Sequence, residues 1–152
     1  MSAGDLQRAL AGCRLVCLDT MVFSYQLSKH PRYSALTTVV LAAVEAGQVA
    51  GLTTTITLAE ILTVPARAGD EHAQQEYELY LTNFPHLTLV PLDTGLAREA
   101  ARVRAATGLR TPDAIQVAAA RLAGADAIVT NDRHWVGRVK APALVLLDDY
   151  AG

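Results

Sequence analysis

The sequence predicts a single α/β domain, a three-layer α/β/α sandwich with a mostly parallel central sheet of about five strands. Its length of 152 residues suits one domain. Hydrophobic residues make up 51% of the chain and charged residues 18%, which is typical of a folded protein with its own core. Short apolar runs alternate with helical patterns, and strands that are apolar throughout indicate a parallel sheet covered by helices on both faces.

Five apolar runs have the length of strands and are bounded by turn residues. They predict strands at 14–18, 49–54, 87–92, 127–130 and 143–147. In such sheets, ligands bind outside the carboxyl ends of the strands. Functional side chains are therefore expected at that edge.

Helical patterns fill the intervals between the strands. An amphipathic lead-in at 1–13 is followed by predicted helices at 22–28, 34–46, 56–64, 70–83, 94–106 and 111–124. The helix at 56–64 must end or kink near Pro65, because proline cannot donate a backbone hydrogen bond. Gly47 is a natural C-cap, and Thr111 is predicted to cap the last helix with Pro112 at its first position.

The charge balance argues against bulk binding of nucleic acid. The formal net charge is −2, from 13 basic and 15 acidic residues, whereas bulk nucleic-acid binders usually carry a basic excess. Eleven of the 13 basic residues are arginines, which suits phosphate contacts but is equally typical of a GC-rich genome. No apolar run reaches about 18 residues, so no membrane span is predicted.

The two cysteines, Cys13 and Cys17, have a spacing that suits neither a zinc site nor a redox pair. Cys17 lies in an apolar run and is predicted to be buried. Unpaired thiols and no recognisable signal peptide favour a reducing compartment, so a cytoplasmic protein is expected.

Four acidic residues lie where predicted strands end or helices begin: Asp19, Glu60, Asp113 and Asp132. A parallel sheet brings strand ends and helix starts to one edge, so the four carboxylates are expected to converge. Carboxylates about 4–6 Å apart raise one another's pKa, and a bound cation keeps them ionised. Hard oxygen ligands favour Mg²⁺ or Mn²⁺ over zinc.

Each of these acids also has a local structural interpretation. Asp19 and Asp132 can open turns, and Asp113 can complement the positive end of a helix. Thr57 and Glu60 have the spacing of a capping box. The metal-site hypothesis therefore depends on all four acids together.

The remaining acids near element ends are interpreted as structural. Asp93 is predicted to cap a helix. Asp126 precedes the fourth strand and is expected at the opposite edge of the sheet. Asp148 and Asp149 follow the last strand, close to the end of the sequence.

Residues 14–150 resemble the PIN-domain family, and within it the VapC-like toxin ribonucleases of toxin–antitoxin pairs. The resemblance rests on four segments: Asp19-Thr20, the Thr-rich lead into Ala59-Glu60, Thr111-Pro112-Asp113-Ala114, and Thr130-Asn131-Asp132 followed by Trp135. It implies a Mg²⁺- or Mn²⁺-dependent endoribonuclease, the toxin of a type II system. The catalytic and metal-binding residues would be Asp19, Glu60, Asp113 and Asp132, with Thr130 and Asn131 as polar support.

The resemblance further implies an RNA substrate, a homodimer and a cognate antitoxin whose tail reaches the acidic cleft. The helices at 22–28 and 34–46 would form the groove that binds this antitoxin, through Leu27, Leu36, Val40 and Val44. Most of these residues are more simply interpreted as part of the hydrophobic core. The alternative is a PIN nuclease, or a nuclease-dead RNA-binding module, outside toxin–antitoxin systems. The sequence departs from the family at Met21, where a small polar residue is more usual, and in its longer lead-in.

Two other acidic-edge folds fit less well. A receiver domain needs paired acids after the first strand and a late lysine, and a haloacid-dehalogenase phosphatase needs an acid at the position of Met21. For RNA contacts, aromatics make up 5% of the chain and offer no stacking platform. Arg98, Arg102, Arg104 and Arg110 are candidates for phosphate contacts, and a solvated helix face is an equally good interpretation of them.

Overall fold

The central sheet has five strands, all parallel, in the order β3-β2-β1-β4-β5. The computed structural model describes the whole chain, residues 1–152. The strands are β1 Leu15–Leu18, β2 Ala50–Thr54, β3 Leu87–Val90, β4 Ala127–Thr130 and β5 Ala143–Leu146. The predicted α/β/α class is confirmed, with a sheet that is parallel throughout.

Seven helices cover the sheet. They are α1 Ala3–Ala11, α2 Thr20–Leu27, α3 Ser34–Glu45, α4 Thr55–Arg67, α5 Glu71–Thr82, α6 Thr94–Thr107 and α7 Thr111–Ala123. Short 3-10 turns follow the last two strands, at Arg133–Trp135 and Leu147–Tyr150. None of the helices is long and apolar enough to cross a membrane.

Two hydrophobic cores lie on opposite faces of the sheet. Successive strand residues point to opposite faces, so Val16 and Leu18 pack with α1–α5, whereas Cys17 between them packs with α6 and α7. The predicted burial of Cys17 is confirmed, and burial raises the pKa of its thiol. Leu36, Val40 and Val44 are also buried, which supports their interpretation as core.

The strand order places a topological switch point at β1. From β1 the chain builds outward through β2 and β3, and it then returns to add β4 and β5 on the other side. The carboxyl ends of β1 and β4 therefore flank a crevice of the kind where α/β proteins bind ligands. Asp19 directly follows β1, and its backbone N–H donates to the Val129 carbonyl of β4.

The start of α4 differs from the prediction. Thr54 caps the helix by accepting the Ile56 N–H at 3.2 Å, and the helix begins at Thr55. Thr57 and Glu60 therefore lie inside the helix, and the predicted capping box is wrong. Glu60 is on the second turn, so its carboxylate is not engaged at the helix start.

The cap of α7 is also shifted by one residue. Arg110 occupies the cap position without a side-chain cap, and Thr111 and Pro112 are the first two helical residues. The prediction that Thr111 caps this helix is wrong. The helix does begin at Thr111-Pro112, as predicted. Proline suits this position because backbone N–H groups in the first turn have no partner within the helix, so the missing N–H costs nothing.

Other boundaries differ by one to three residues. The helix α2 begins at Thr20 because Asp19 caps it, and β3 ends at Val90, directly before Pro91. The helix α4 includes Pro65 and ends two residues later, at Arg67, close to the predicted end. Gly47, with φ of +76°, lies just beyond the C-cap residue of α3.

Two acids have the structural roles expected of them. Asp93 caps α6 by accepting the Leu96 N–H at 2.9 Å. Asp126 lies at the amino edge of the sheet and accepts the backbone N–H groups of Arg14 and Leu15 at 2.8 and 3.1 Å. Both carboxylates are engaged with backbone, away from the crevice.

Candidate active site

Asp19 is a buried carboxylate at the crevice, and it has no ion-pair partner. The residue is 5% exposed. Its Oδ1 accepts the Thr20 N–H at 2.8 Å, and its Oδ2 accepts the Thr130 hydroxyl at 2.8 Å. Burial raises the pKa of Asp19 to about 7, with smaller contributions from Asp113 and Glu60, although the two hydrogen bonds act in the opposite direction. A positive charge beside this carboxylate would stabilise its ionised form.

Glu60 lies on α4, next to the start of α2. Its Oε1 accepts the Thr20 hydroxyl at 2.9 Å, and Thr20 directly follows Asp19. The Glu60 residue is exposed to solvent. The packing of α4 beside α2 therefore brings Glu60 to Asp19, as the convergence hypothesis predicts.

Asp113 is on the first turn of α7 and is partly buried. Arg110 Nε lies 3.6 Å from its Oδ2. Burial raises the pKa of Asp113 and Asp132 adds to this rise, while Arg110 lowers it. The buried Trp135 indole N–H also acts to lower it, from a position outside ordinary hydrogen-bond geometry.

Asp132 lies two residues beyond the end of β4. Its Oδ1 accepts the His134 N–H at 2.9 Å and lies 3.1 Å from His134 Nδ1. The buried Thr130 hydroxyl donates to Asp19 and accepts the Asp132 N–H at 3.2 Å. Thr130 therefore connects two of the four acids.

The Asn131 side chain makes no hydrogen bond to any of the four acids. Its Oδ1 accepts the Asp148 N–H at 2.8 Å, and its Nδ2 donates to the Tyr25 hydroxyl at 3.3 Å. These contacts tie the loop after β4 to α2 and to the 3-10 turn after β5. A direct supporting role for Asn131 at the acids remains a prediction.

The four acids influence one another's charge, and their carboxylate oxygens are hard ligand atoms. Asp19 interacts with Glu60 and Asp113, and Asp113 interacts with Asp132. No three acidic, histidine or cysteine side chains are placed to hold one ion together. Mg²⁺ usually keeps several waters and binds through one or two carboxylates. These carboxylate oxygens therefore fit a hydrated Mg²⁺ or Mn²⁺ ion and do not form a closed protein cage.

A cleft of about 400 Å³ opens beside Asp113 and Asp132, and three basic side chains line it: Arg110, His134 and Arg138. Arg110 is one of the arginines expected from the sequence to contact phosphate. His134 and Arg138 are distant from it in the chain and meet it only in the fold. The cleft thus places positive charge next to two of the acids.

Two other arginines of the predicted phosphate-contact group, Arg102 and Arg104, make their contacts outside this cleft. Arg102 pairs with Glu99 at 3.1 Å on the exposed face of α6. Arg104 Nε donates to the Leu109 carbonyl at 3.1 Å and braces the α6–α7 turn. Neither touches an acid of the group, so their contacts with RNA stay predictions.

Gln116 is a residue of this region that the sequence patterns do not reveal. It is 1% exposed, and its Nε2 lies 3.5 Å from Asp19 Oδ1. It is also hydrogen-bonded to buried threonines of β2 and α4. The available signal is a single polar residue in the apolar stretch 114–120 of an otherwise buried helix face.

Comparison with known proteins identifies the fold. A family model described as the PIN domain matches residues 16–140. A toxin–antitoxin complex from Klebsiella pneumoniae is 20% identical, with a TM-score of 0.64 over 87% of this chain and 97% of that chain. VapBC2 from Rickettsia felis, bound to a DNA fragment from its promoter, is 17% identical, with a TM-score of 0.67 over 87% and 98%. FitAcB from Neisseria gonorrhoeae is 18% identical, with a TM-score of 0.65 over 87% and 97%. A search of curated proteins gives no match.

Proposed function

The chain belongs to the PIN domain family of nucleases, and we propose that it is a divalent-metal-dependent endoribonuclease that acts as the toxin of a type II toxin–antitoxin pair. The observation that carries this proposal is Asp19. It is a buried carboxylate at the topological switch point and has no ion-pair partner. Glu60 and Asp113 act on it directly, and the Thr130 hydroxyl links it to Asp132. Membership of a nuclease family supports hydrolysis of nucleic acid at that site.

The protein's own groups would hold and orient the reactants. A divalent ion bound there supplies a water of lowered pKa and neutralises charge on phosphate oxygens. Asp19 would hold the ion together with a neighbouring acid, and its orientation is set by the Thr20 N–H and the Thr130 hydroxyl. Arg110, in the adjoining cleft, is placed to attract a phosphate.

Cleavage assays test the nuclease proposal. Asp113→Asn should abolish Mn²⁺-dependent cleavage of a structured RNA, because an amide cannot replace the negative charge. Asp93→Asn is the matched control, since asparagine caps a helix as well as aspartate does and Asp93 lies outside the site. Equal activity of wild type and Asp113→Asn would rule out the acidic site as the nuclease centre.

RNA specificity needs its own comparison. The same assay with single-stranded DNA of matching sequence should give little cleavage if the substrate is RNA. Equal cleavage of both polymers would support nuclease activity but would rule out specificity for RNA. No cleavage of either, in metal-saturated wild type, would favour a nuclease-dead binding module.

An apolar groove supports the antitoxin part of the proposal. It lies between α2, α4 and α5, has a volume of about 340 Å³, and is lined by Tyr25, Leu27, Ile61 and Val64 together with Glu60. Val64 is 71% exposed, although it is apolar. The helix at 34–46 was expected to line this groove, but α3 contributes residues to the hydrophobic core instead. The structurally similar proteins include toxin–antitoxin complexes.

Expression experiments test the toxin role. Wild type should arrest bacterial growth, and coexpression of the small protein from the neighbouring gene should relieve the arrest and copurify with the chain. Val64→Glu should weaken copurification, because it introduces a charge into the groove. Normal growth during expression of an active nuclease would instead favour a PIN nuclease of RNA processing.

The homodimer is proposed on the resemblance alone. Light scattering of the purified chain should give twice the monomer mass of 16.2 kDa. A monomer across the micromolar range would remove this part of the proposal and leave the nuclease site unaffected.

A further inference from the structure

Two of the four acids, Asp19 and Glu60, are joined below the surface by a buried network that includes the Gln116 amide. Gln116 Nε2 lies 2.7 Å from Thr57 Oγ1, 3.4 Å from Thr20 Oγ1 and 3.5 Å from Asp19 Oδ1. The amide therefore reaches the strand end that carries Asp19 and the helix that carries Glu60.

The direction of each hydrogen bond follows from the Glu60 end of the network. A carboxylate oxygen only accepts, so the Thr20 hydroxyl donates its one proton to Glu60 Oε1, at 2.9 Å. Thr20 must then accept across its 3.0 Å contact with Thr57, whose proton is thereby used. Thr57 is left as an acceptor, and both the Gln116 N–H and the Thr53 hydroxyl donate to it.

The orientation of the Gln116 amide is fixed by the same reasoning. Its Oε1 accepts the buried Thr54 hydroxyl at 2.9 Å, on the side opposite Thr57. A flipped amide would point its oxygen at Thr57, whose proton is already donated to Thr20. Because unmet hydrogen bonds are costly in a buried position, the network strongly favours one arrangement.

We propose that Gln116 is a positioning residue for the acidic site: its buried amide donates into the Thr57–Thr20 chain and so holds the Glu60 carboxylate beside Asp19. This inference rests on the proposed function, since it assigns Gln116 to that same metal site. An exposed glutamate otherwise samples several rotamers. Thr53 also donates to Thr57, but a hydroxyl can turn and accept, whereas the amide N–H can only donate. Without the amide, the Thr57 proton can therefore turn toward Thr53, and the Thr20 hydroxyl loses the partner that directs it at Glu60.

Two variants separate positioning from general stability. Gln116→Met keeps a similar volume and removes the amide. Thr53→Val is the matched control, because the equally buried Thr53 hydroxyl donates to the same Thr57 oxygen at 2.8 Å but lies outside the path from Gln116 to Glu60. Each variant removes one buried hydrogen bond into Thr57. Gln116→Met also leaves the Thr54 hydroxyl without its acceptor and removes the 3.5 Å contact with Asp19, so the position of Glu60, and not the loss of stability, decides between the two roles.

Calorimetric titration with Mn²⁺ is the first readout. Gln116→Met should weaken Mn²⁺ affinity about 10- to 100-fold, the usual cost of losing a group that orients metal ligands, whereas Thr53→Val should stay within about twofold of wild type. Crystal structures of the metal-free variants are the second readout. The Thr20–Glu60 contact should be lost in Gln116→Met and kept in Thr53→Val.

The proposal is overturned if Gln116→Met binds Mn²⁺ like wild type, or if both variants weaken binding equally. If wild type itself binds no Mn²⁺, the proposed function fails, and the metal-free structures still decide whether Gln116 holds Glu60. Should Gln116→Met not fold, Thr57→Val and Thr57→Ser carry the same comparison. The serine keeps the hydroxyl and should restore the Thr20–Glu60 contact that the valine loses.

Discussion

Two aspartates at the carboxyl edge of the sheet, Asp19 and Asp148, are in opposite electrostatic states. Asp148 accepts the Tyr33 hydroxyl at 2.7 Å and pairs with Arg133 and Arg32, and these contacts lower its pKa to about 2. Asp19 contacts only uncharged donors, namely a backbone N–H, a hydroxyl and the more distant Gln116 amide, and burial raises its pKa to about 7. Asp148 already has its cations within the chain, whereas Asp19 is left to be stabilised by an ion from outside.

The largest expected difference between the two is in catalysis. Asp19→Asn should lower kcat/KM for Mn²⁺-dependent RNA cleavage at least about hundredfold, the size of effect seen when preorganised charge stabilisation is removed. Asp148→Asn should change kcat/KM by no more than a few fold, because the Asp148 carboxylate is already paired with Arg32 and Arg133. Single-turnover cleavage measures both, and comparable losses would remove the distinction between the two acids.

The next difference is in the pH dependence of stability without metal. The pKa of Asp19 is about 7 in the folded chain and near 3.8 when unfolded, so the folded state binds more protons between those values. The free energy of unfolding should therefore fall as pH rises from about 4 to about 7, by at most about 1.4 kcal/mol per pH unit from this group.

Urea unfolding in EDTA at several pH values measures that slope. Asp19→Asn should flatten it and should be more stable than wild type at about pH 8. A variant with an unchanged slope would show that the Asp19 pKa is not raised in the folded chain.

The smallest effect is expected at Asp148, with the opposite sign. Its pKa is lowered in the folded chain, so its contribution to stability is present above about pH 4 and is lost as pH falls toward 2. Asp148→Asn should make acid unfolding less steep in low salt. High salt should reduce the difference, because the ion pairs with Arg32 and Arg133 are screened whereas the Tyr33 hydrogen bond is not. An equal difference at 1 M NaCl would argue against an ion-pair origin.

The fold and the convergence of acids are readable from the sequence for a specific reason. Continuous apolar runs identify buried parallel strands, and that topology brings Asp19 and Asp132 to one edge whatever the details of the helices. Local signals were less secure. The T-x-x-E spacing at Thr57 and Glu60 suggested a cap, but Thr54 caps the helix three residues earlier.

The remainder of the site depends on distances across the fold. Gln116 meets Thr54 and Thr57 only because α7 packs beside β2 and α4. Arg138 reaches the cleft of Arg110 only through the loop after β4. No spacing within one segment encodes such contacts. The structural role of Asp148 was expected, but its arginine partners are likewise set by the tertiary fold.

Counting protons tests the central claim, that the buried Asp19 carboxylate binds the divalent ion. Mn²⁺ titrations at about pH 6.5, in buffers of different ionisation enthalpy, give the number of protons released per ion bound. Because the pKa of Asp19 is about 7, wild type should release most of one proton and Asp148→Asn should match it. Asp19→Asn should bind weakly and release fewer protons. Tight Mn²⁺ binding without proton release, or unchanged binding by Asp19→Asn, would contradict the account.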